Sequence, residues 1–270
     1  MFGKFFGKKK EPTNEKSQSG SLLSMPLFRD TAAPDIEALT HTLKQLIPAH
    51  EIKPDTKKGA KPDDVVAIGV PSLGAMVMLA HMPAKIPGRE VDENAQCTRW
   101  WNQKMMPVPY ASHAVLMAMA PTPVAAANAA TLIALGLMHQ KNAVGWYVGG
   151  ASSVFPPEFV KDVAVDCLQE GSVPVPLWVN VIMSKGAKGI DASTLGLEQF
   201  GQKELEVVGS KQSPEDIGGT LFDLAGYLLN TGAVFEHGQT CGGSEEERWK
   251  IEVGASKLGK EGKVARIVMP

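Results

Sequence analysis

The side chains able to carry acid–base or metal chemistry are few and widely spaced. His81 and His113 each stand beside an apolar run, and Glu90 and Asp92 lie between them in the chain. If their strands are neighbours, two imidazoles and a carboxylate would form a site for a metal ion or for proton transfer. The plainer reading of a histidine at a strand boundary is a hydrogen-bonded polar group at the edge of the core. His237 and Cys241 are four positions apart with Gly238 between them. That spacing suits a turn and falls short of the four paired ligands of a structural zinc, so no metal is assigned. Ser152 and Ser153 follow Gly149-Gly150 without a GxSxG elbow, and no histidine and acid can be assigned to them. The catalytic candidates are therefore His81, His113 and His237, with no cofactor implied.

The run from Gly254 to Lys260, GASKLGK, has the glycine and lysine spacing of a phosphate-binding loop. Glu261 occupies the place of the magnesium-binding Ser or Thr, and a short strand follows instead of the helix whose amino end would hold phosphate. A charged hairpin turn is the better reading. Two features suit recognition of another protein. Adjacent Trp100 and Trp101 on a helix cannot both face one core, so one is expected to be partly exposed. Glu245, Glu246 and Glu247 form an acidic run, read either as a solvated face or as a docking rim for a basic partner.

Composition narrows the classes further. The 270 residues are 44% hydrophobic and 21% charged, enough for a sizeable core, and the formal net charge of −2 argues against a nucleic-acid partner. Cys97, Cys167 and Cys241 lie far apart with no CxxC pair, which suits reduced thiols in a cytoplasm. Residues 1–20 read as a disordered basic tail: MFGKFFGKKK is followed by a polar stretch that cannot bury itself. Phe2, Phe5 and Phe6 beside Lys4, Lys8, Lys9 and Lys10 leave room for weak contact with an anionic membrane surface. The tail lacks the apolar core and cleavage site of a secretory signal. Pro121 and Pro123 interrupt the apolar stretch from Ala114 to Met138, so neither piece reaches the roughly 20 residues of a spanning helix.

The elements that must position these residues follow from periodicity. Strands are expected at 22–28, 65–70, 75–80, 113–119, 144–148, 177–181, 204–208, 249–253 and 264–269. Helices are expected at 34–47, 91–101, 124–140, 156–169 and 214–230. The segment between Val181 and Glu204 reads as a glycine-punctuated loop, and Asn128 as a hydrogen-bonded core amide. Ser213, Pro214, Glu215 and Asp216 supply a cap, a first-turn proline and early acids for the last helix. This order predicts an α+β fold with helices on one face of a mainly antiparallel sheet. Two arrangements fit it: two ferredoxin-like halves, 21–110 and 111–270, with a seam at 105–110, or one continuous sheet.

The segments HMPAKIPGREV, SHAVLMAM, PLWVNV, LGLEQFGQKELEV, FEHGQTCGGSEEERWKIEV and KVARIVMP resemble the bacterial family known as domain of unknown function 4261, over about residues 22–270. The family's late hairpin has an acidic residue and a glycine before a threonine; here His237 intervenes in Glu236-His237-Gly238-Gln239-Thr240. The resemblance implies a bacterial source and the fold, and it supplies no catalytic residues. Without a catalytic motif, the residues favour a cytosolic, non-catalytic protein-binding or adaptor module, of which an immunity protein that binds a toxin is one form. The alternative is a hydrolase-like small-molecule enzyme using a histidine/carboxylate cleft. Membrane-surface attachment through the tail is a third reading.

Overall fold

The computed structural model describes residues 20–55, 65–242 and 248–269. These residues fall into two compact units that divide between Trp178 and Val179. The fold is α+β, with one mostly antiparallel sheet in each unit.

The first unit runs β1 (Gly20–Phe28), α1 (Ile36–Leu46), β2 (Lys53–Asp55), β3 (Val66–Val70), β4 (Ala75–Met82), α2 (Glu90–Cys97), β5 (Ser112–Ala120), α3 (Pro123–Met138), β6 (Ala143–Val148), β7 (Ser153–Phe155), α4 (Pro157–Glu170) and α5 (Val175–Trp178). Among the described residues seven strands lie in the order β2-β3-β4-β5-β1-β6-β7, each pair antiparallel. Within it, β1-α1-β4-β5-α3-β6 has the connectivity and sheet order of a ferredoxin-like unit, with β3 and β2 added at one edge and β7 at the other. The seam expected at 105–110 is therefore not a boundary. Strand β5, just beyond it, pairs with both β4 and β1, so a division there would cut the middle of a hydrogen-bonded sheet.

Helix α3 is the centre of this unit. Thr122 caps it by accepting from the Ala125 amide at 3.1 Å, Pro123 opens its first turn, and every residue from Ala126 to Met138 is buried. A Cβ on Gly136 would come within 3.0 Å of Leu39 and Leu43, so glycine permits the close approach of α1. The segment 177–181, expected as a strand, begins as α5. Pro174 and Pro176 disfavour a ladder, and the Trp178 indole N–H donates to Thr131 Oγ1 at 2.8 Å while its ring meets Trp146 edge-on at 5.4 Å. Asn128 differs from its expected role: its buried Oδ1 has no hydrogen-bond partner among the described residues.

The second unit contains β8 (Asn180–Lys185), β9 (Ile190–Leu195), β10 (Leu205–Ser210), α6 (Pro214–Thr231), β11 (Thr240–Cys241), β12 (Trp249–Ala255) and β13 (Lys263–Val268). Six strands are ordered β11-β12-β13-β10-β9-β8 among the described residues, and only β10 and β13 run parallel. The loop expected before Glu204 contains β9, which pairs with β8 and β10. Helix α6 is capped by Ser213, which accepts from the Asp216 amide at 3.1 Å, and buries Ile217, Leu221, Leu224 and Leu228. The two separate sheets exclude the single continuous sheet.

Candidate functional site

Strand register decides the fate of the histidines. On adjacent antiparallel strands His81 stands opposite Ala114, whereas His113 stands opposite Met82. Residues one step out of phase project to opposite faces, so the two imidazoles cannot share a cleft. His81 shares the helix-covered face with buried Val77 and Leu79. His113, on the other face, donates from Nδ1 to the Ala84 carbonyl at 2.8 Å. The proposed carboxylate partners are engaged elsewhere. Glu90 accepts from the Tyr147 hydroxyl, and Asp92 accepts from the Val108 amide at 2.8 Å. Burial, then the adjacent Glu90, push the Tyr147 hydroxyl well above its ordinary range, so Tyr147 remains a donor that ties α2 to the sheet. His237 belongs to the second unit, where its exposed ring accepts from the Val253 amide at 3.3 Å. No metal-holding cluster of His, Cys, Asp and Glu occurs among the described residues.

The loop resembling a phosphate cradle already holds an anion, and that anion is Glu206. This carboxylate accepts from the Lys257 amide at 3.1 Å, the Leu258 amide at 3.2 Å, Ser256 Oγ at 2.5 Å and Arg266 Nε at 2.9 Å. Burial works against its charge, but these donors outweigh burial and hold the carboxyl below the usual range. Arg266 also donates to Glu252 at 3.3 Å and to the Ala255 carbonyl at 2.9 Å. A second buried carboxylate, Glu204, accepts from Thr194 Oγ1 at 2.6 Å and the Gly196 amide at 2.7 Å. Burial lowers the Lys260 pKa despite Glu204, Glu198 and Glu206 nearby, and its ammonium donates to the Thr194 carbonyl. Thus the polar groups that resemble a ligand site in sequence fasten hairpins to the sheet. A neighbouring cavity of about 490 Å³, lined in part by Asp191, Glu252, Lys257 and Arg266, carries both signs of charge.

The helix expected at 91–101 ends at Cys97, so Trp100 and Trp101 lie in the turn after α2 and not on a helix; even so, one is buried and the other is exposed. Trp101 is buried with Leu27, Val91, Ala95, Val108 and Tyr147, while Trp100 is 36% exposed. Trp100 stacks on Phe159 at 4.4 Å, and the Arg99 guanidinium lies 5.0 Å over its ring. Glu245, Glu246 and Glu247 lie outside the described residues, as does the tail.

Two features escaped the sequence. The first is a bare apolar sheet face. Gly69, Met76, Met119 and Ser21 are neighbours across four strands, and Ala67, Met78, Met117 and Leu23 form the next row. Leu23, Met76, Met117 and Met119 are 48%, 42%, 41% and 40% exposed. The same face is covered farther along β1, where α2 and the segment reaching Tyr110 bury Leu27; cover thins at partly buried Met25 and ends before Leu23. Helix α2 thus lies opposite the face carrying α3, a departure from helices on one face only. The alternation of β4 and β5 was a usable signal: Met76, Met78, Met117 and Met119 recur at every second position.

The second feature is a contact between His50 Nδ1 and Ser72 Oγ at 2.6 Å. Burial lowers the His50 pKa, and a main-chain hydrogen bond with Leu168 opposes that shift. The residues are 22 positions apart, His50 in the segment after α1 and Ser72 in the 3-10 turn Pro71–Leu73, so no local motif announces them.

No helix among the described residues is long and apolar enough to cross a membrane. No curated protein and no solved structure matches the chain significantly. The resemblance noted along most of the sequence is matched in the part of the second unit from β9 to β13: residues 193–268 fit the family model described as a domain of unknown function, DUF4261.

Proposed function

We propose that the protein is a non-catalytic protein-binding module of the bacterial cytoplasm, with a toxin as one partner class if it acts as an immunity protein. The observation that carries this reading is the bare face formed by Leu23, Met76, Met117 and Met119. Contiguous exposed apolar surface favours association because covering it removes water from apolar side chains. Methionine suits this role: its unbranched thioether adapts to a partner's shape. The Trp100–Phe159 stack with Arg99 is a second, smaller surface of residue types enriched in binding hot spots. Affinity capture from the native cell should retain a defined set of proteins on the wild-type chain and lose it with Met117→Lys. Identical retention by both, or none by either, would overturn the reading.

The Ser72–His50 contact favours an enzyme as the second reading. An imidazole beside a hydroxyl can accept its proton as that oxygen attacks an electrophile. A fluorophosphonate reporter should then label Ser72 with loss of fluoride, and His50→Gln should suppress labelling. Unlabelled Ser72 in the folded wild type would reject this reading.

A further inference from the structure

We infer that the bare sheet face is a docking site for an amphipathic helix of a partner protein, an inference that rests on the protein-binding reading and specifies the partner's chemistry. The first argument is continuity. Alternate residues Leu23, Met25 and Leu27 of β1 share one face, and this face is already closed at the Leu27 end by a layer that includes α2. Helix α2 makes that closure with apolar residues four apart, Val91 and Ala95, while Glu93 remains exposed. The bare end presents the same sheet surface without its helix.

Size supplies the second argument. Four strands at about 4.8 Å spacing and the two rows, about 7 Å apart, make a patch about 20 Å by 14 Å, or about 280 Å². A stable dimer needs about 800 Å² from each partner, so a second copy docked only here would be undersized. A helix of about 14 residues is about 21 Å long and covers such a patch with one apolar stripe. The third argument is chemical. Met76, Met78, Met117 and Met119 can reshape around the ridge of a helix, whereas the face offers few fixed polar groups to read an extended backbone. Lys53 and Asp55, on the same face at the β2 edge, place opposite charges at the rim, where they favour neither an acidic nor a basic partner overall.

The test uses the full chain and two fluorescent Leu/Lys peptides of identical composition, about 14 residues each, one with helical and one with strand periodicity. The helical peptide should bind saturably and at least about tenfold more tightly than the strand peptide, and Met117→Lys or Met76→Lys should weaken it about tenfold. Met105→Lys, at an exposed methionine outside the patch, should leave binding unchanged. Circular dichroism should confirm that every variant is folded. Binding of neither peptide, equal binding of both, or equal sensitivity to Met105→Lys would overturn the inference. So would concentration-dependent dimerisation abolished by Met117→Lys, which would assign the face to a second copy. If Met117→Lys loses the cellular partner but the wild type does not bind the helical peptide, only the helix is rejected and the protein-binding reading stands.

Discussion

The unit ending at Trp178 and the unit beginning at Val179 solve the burial problem with opposite chemistry. The first surrounds α3, whose buried run from Ala126 to Met138 contains no charged residue, and completes its centre with Trp146 and Trp178. Among its described residues the second has shorter strands and one long helix, and it places Glu204, Glu206 and Arg266 inside. Its carboxylates gather amides that would otherwise be left open at hairpin turns. A buried charge is tolerated only where partners replace lost water, and Glu206 has four donors. Apolar cores tolerate changes of shape better than ion networks tolerate loss of one member, so substitutions should separate the two units.

A large effect is expected from breaking the ion pair. Glu206→Ala or Arg266→Met should each cost about 3 kcal/mol in urea denaturation, because the first leaves Arg266 only the more exposed Glu252 and the second leaves Glu206 its hydroxyl and amide donors without a paired cation. Replacing both with apolar residues should cost less than the sum of the singles. A strictly additive double variant would mean that the pair is not coupled, and the contrast between the units would lose its basis.

Leu132→Ala or Leu135→Ala should cost about 2–5 kcal/mol by opening a cavity around α3. The effect should appear in the transition of the first unit, read from Trp146 and Trp178 fluorescence. Unchanged urea midpoints in both variants would show that this helix does not carry the apolar core.

Acid should weaken the second unit selectively. The folded carboxyl of Glu206 titrates below its ordinary value of 4.5, so its contribution is present above that value. It is lost as pH falls through 4.5 and toward the lower folded value, where the unfolded chain binds the proton first. Glu206→Gln should flatten this part of the stability profile. An equally steep acid dependence in the variant would remove Glu206 as the cause.

Trp100→Ala should have the smallest effect on folding, on the order of 1 kcal/mol or less, since the residue is about a third exposed and loses mainly its stack on Phe159. Partner capture that falls while the melting temperature holds would add this stack to the binding surface. Trp101→Ala, in contrast, should destabilise the first unit because its ring is buried.

Local chemistry was legible in the chain. Thr122-Pro123 and Ser213-Pro214 announce the starts of α3 and α6 because capping and the fixed φ of proline act within one helical turn. The exposure of one member of Trp100-Trp101 follows from adjacency on the backbone. By contrast, β9 was hidden: in Ile190-Asp191-Ala192-Ser193-Thr194-Leu195 the buried positions include a serine and a threonine, satisfied or packed only once β8 and β10 flank them. The Leu177-Trp178 pair looked like a strand until the buried Thr131 hydroxyl supplied a partner for the indole.

The amino-acid sequence alone determined the α+β class, most helix positions, the buried character of α3 and the lack of a recognised catalytic motif. These depend on periodicity, caps and residue types within short windows. Tertiary structure decided where the chain divides, which face each histidine occupies, that Glu206 fills the phosphate-like turn, and that the methionine rows meet in one bare patch. Each depends on the pairing register of strands distant in sequence, and a shift of one residue exchanges the faces of every side chain on a strand.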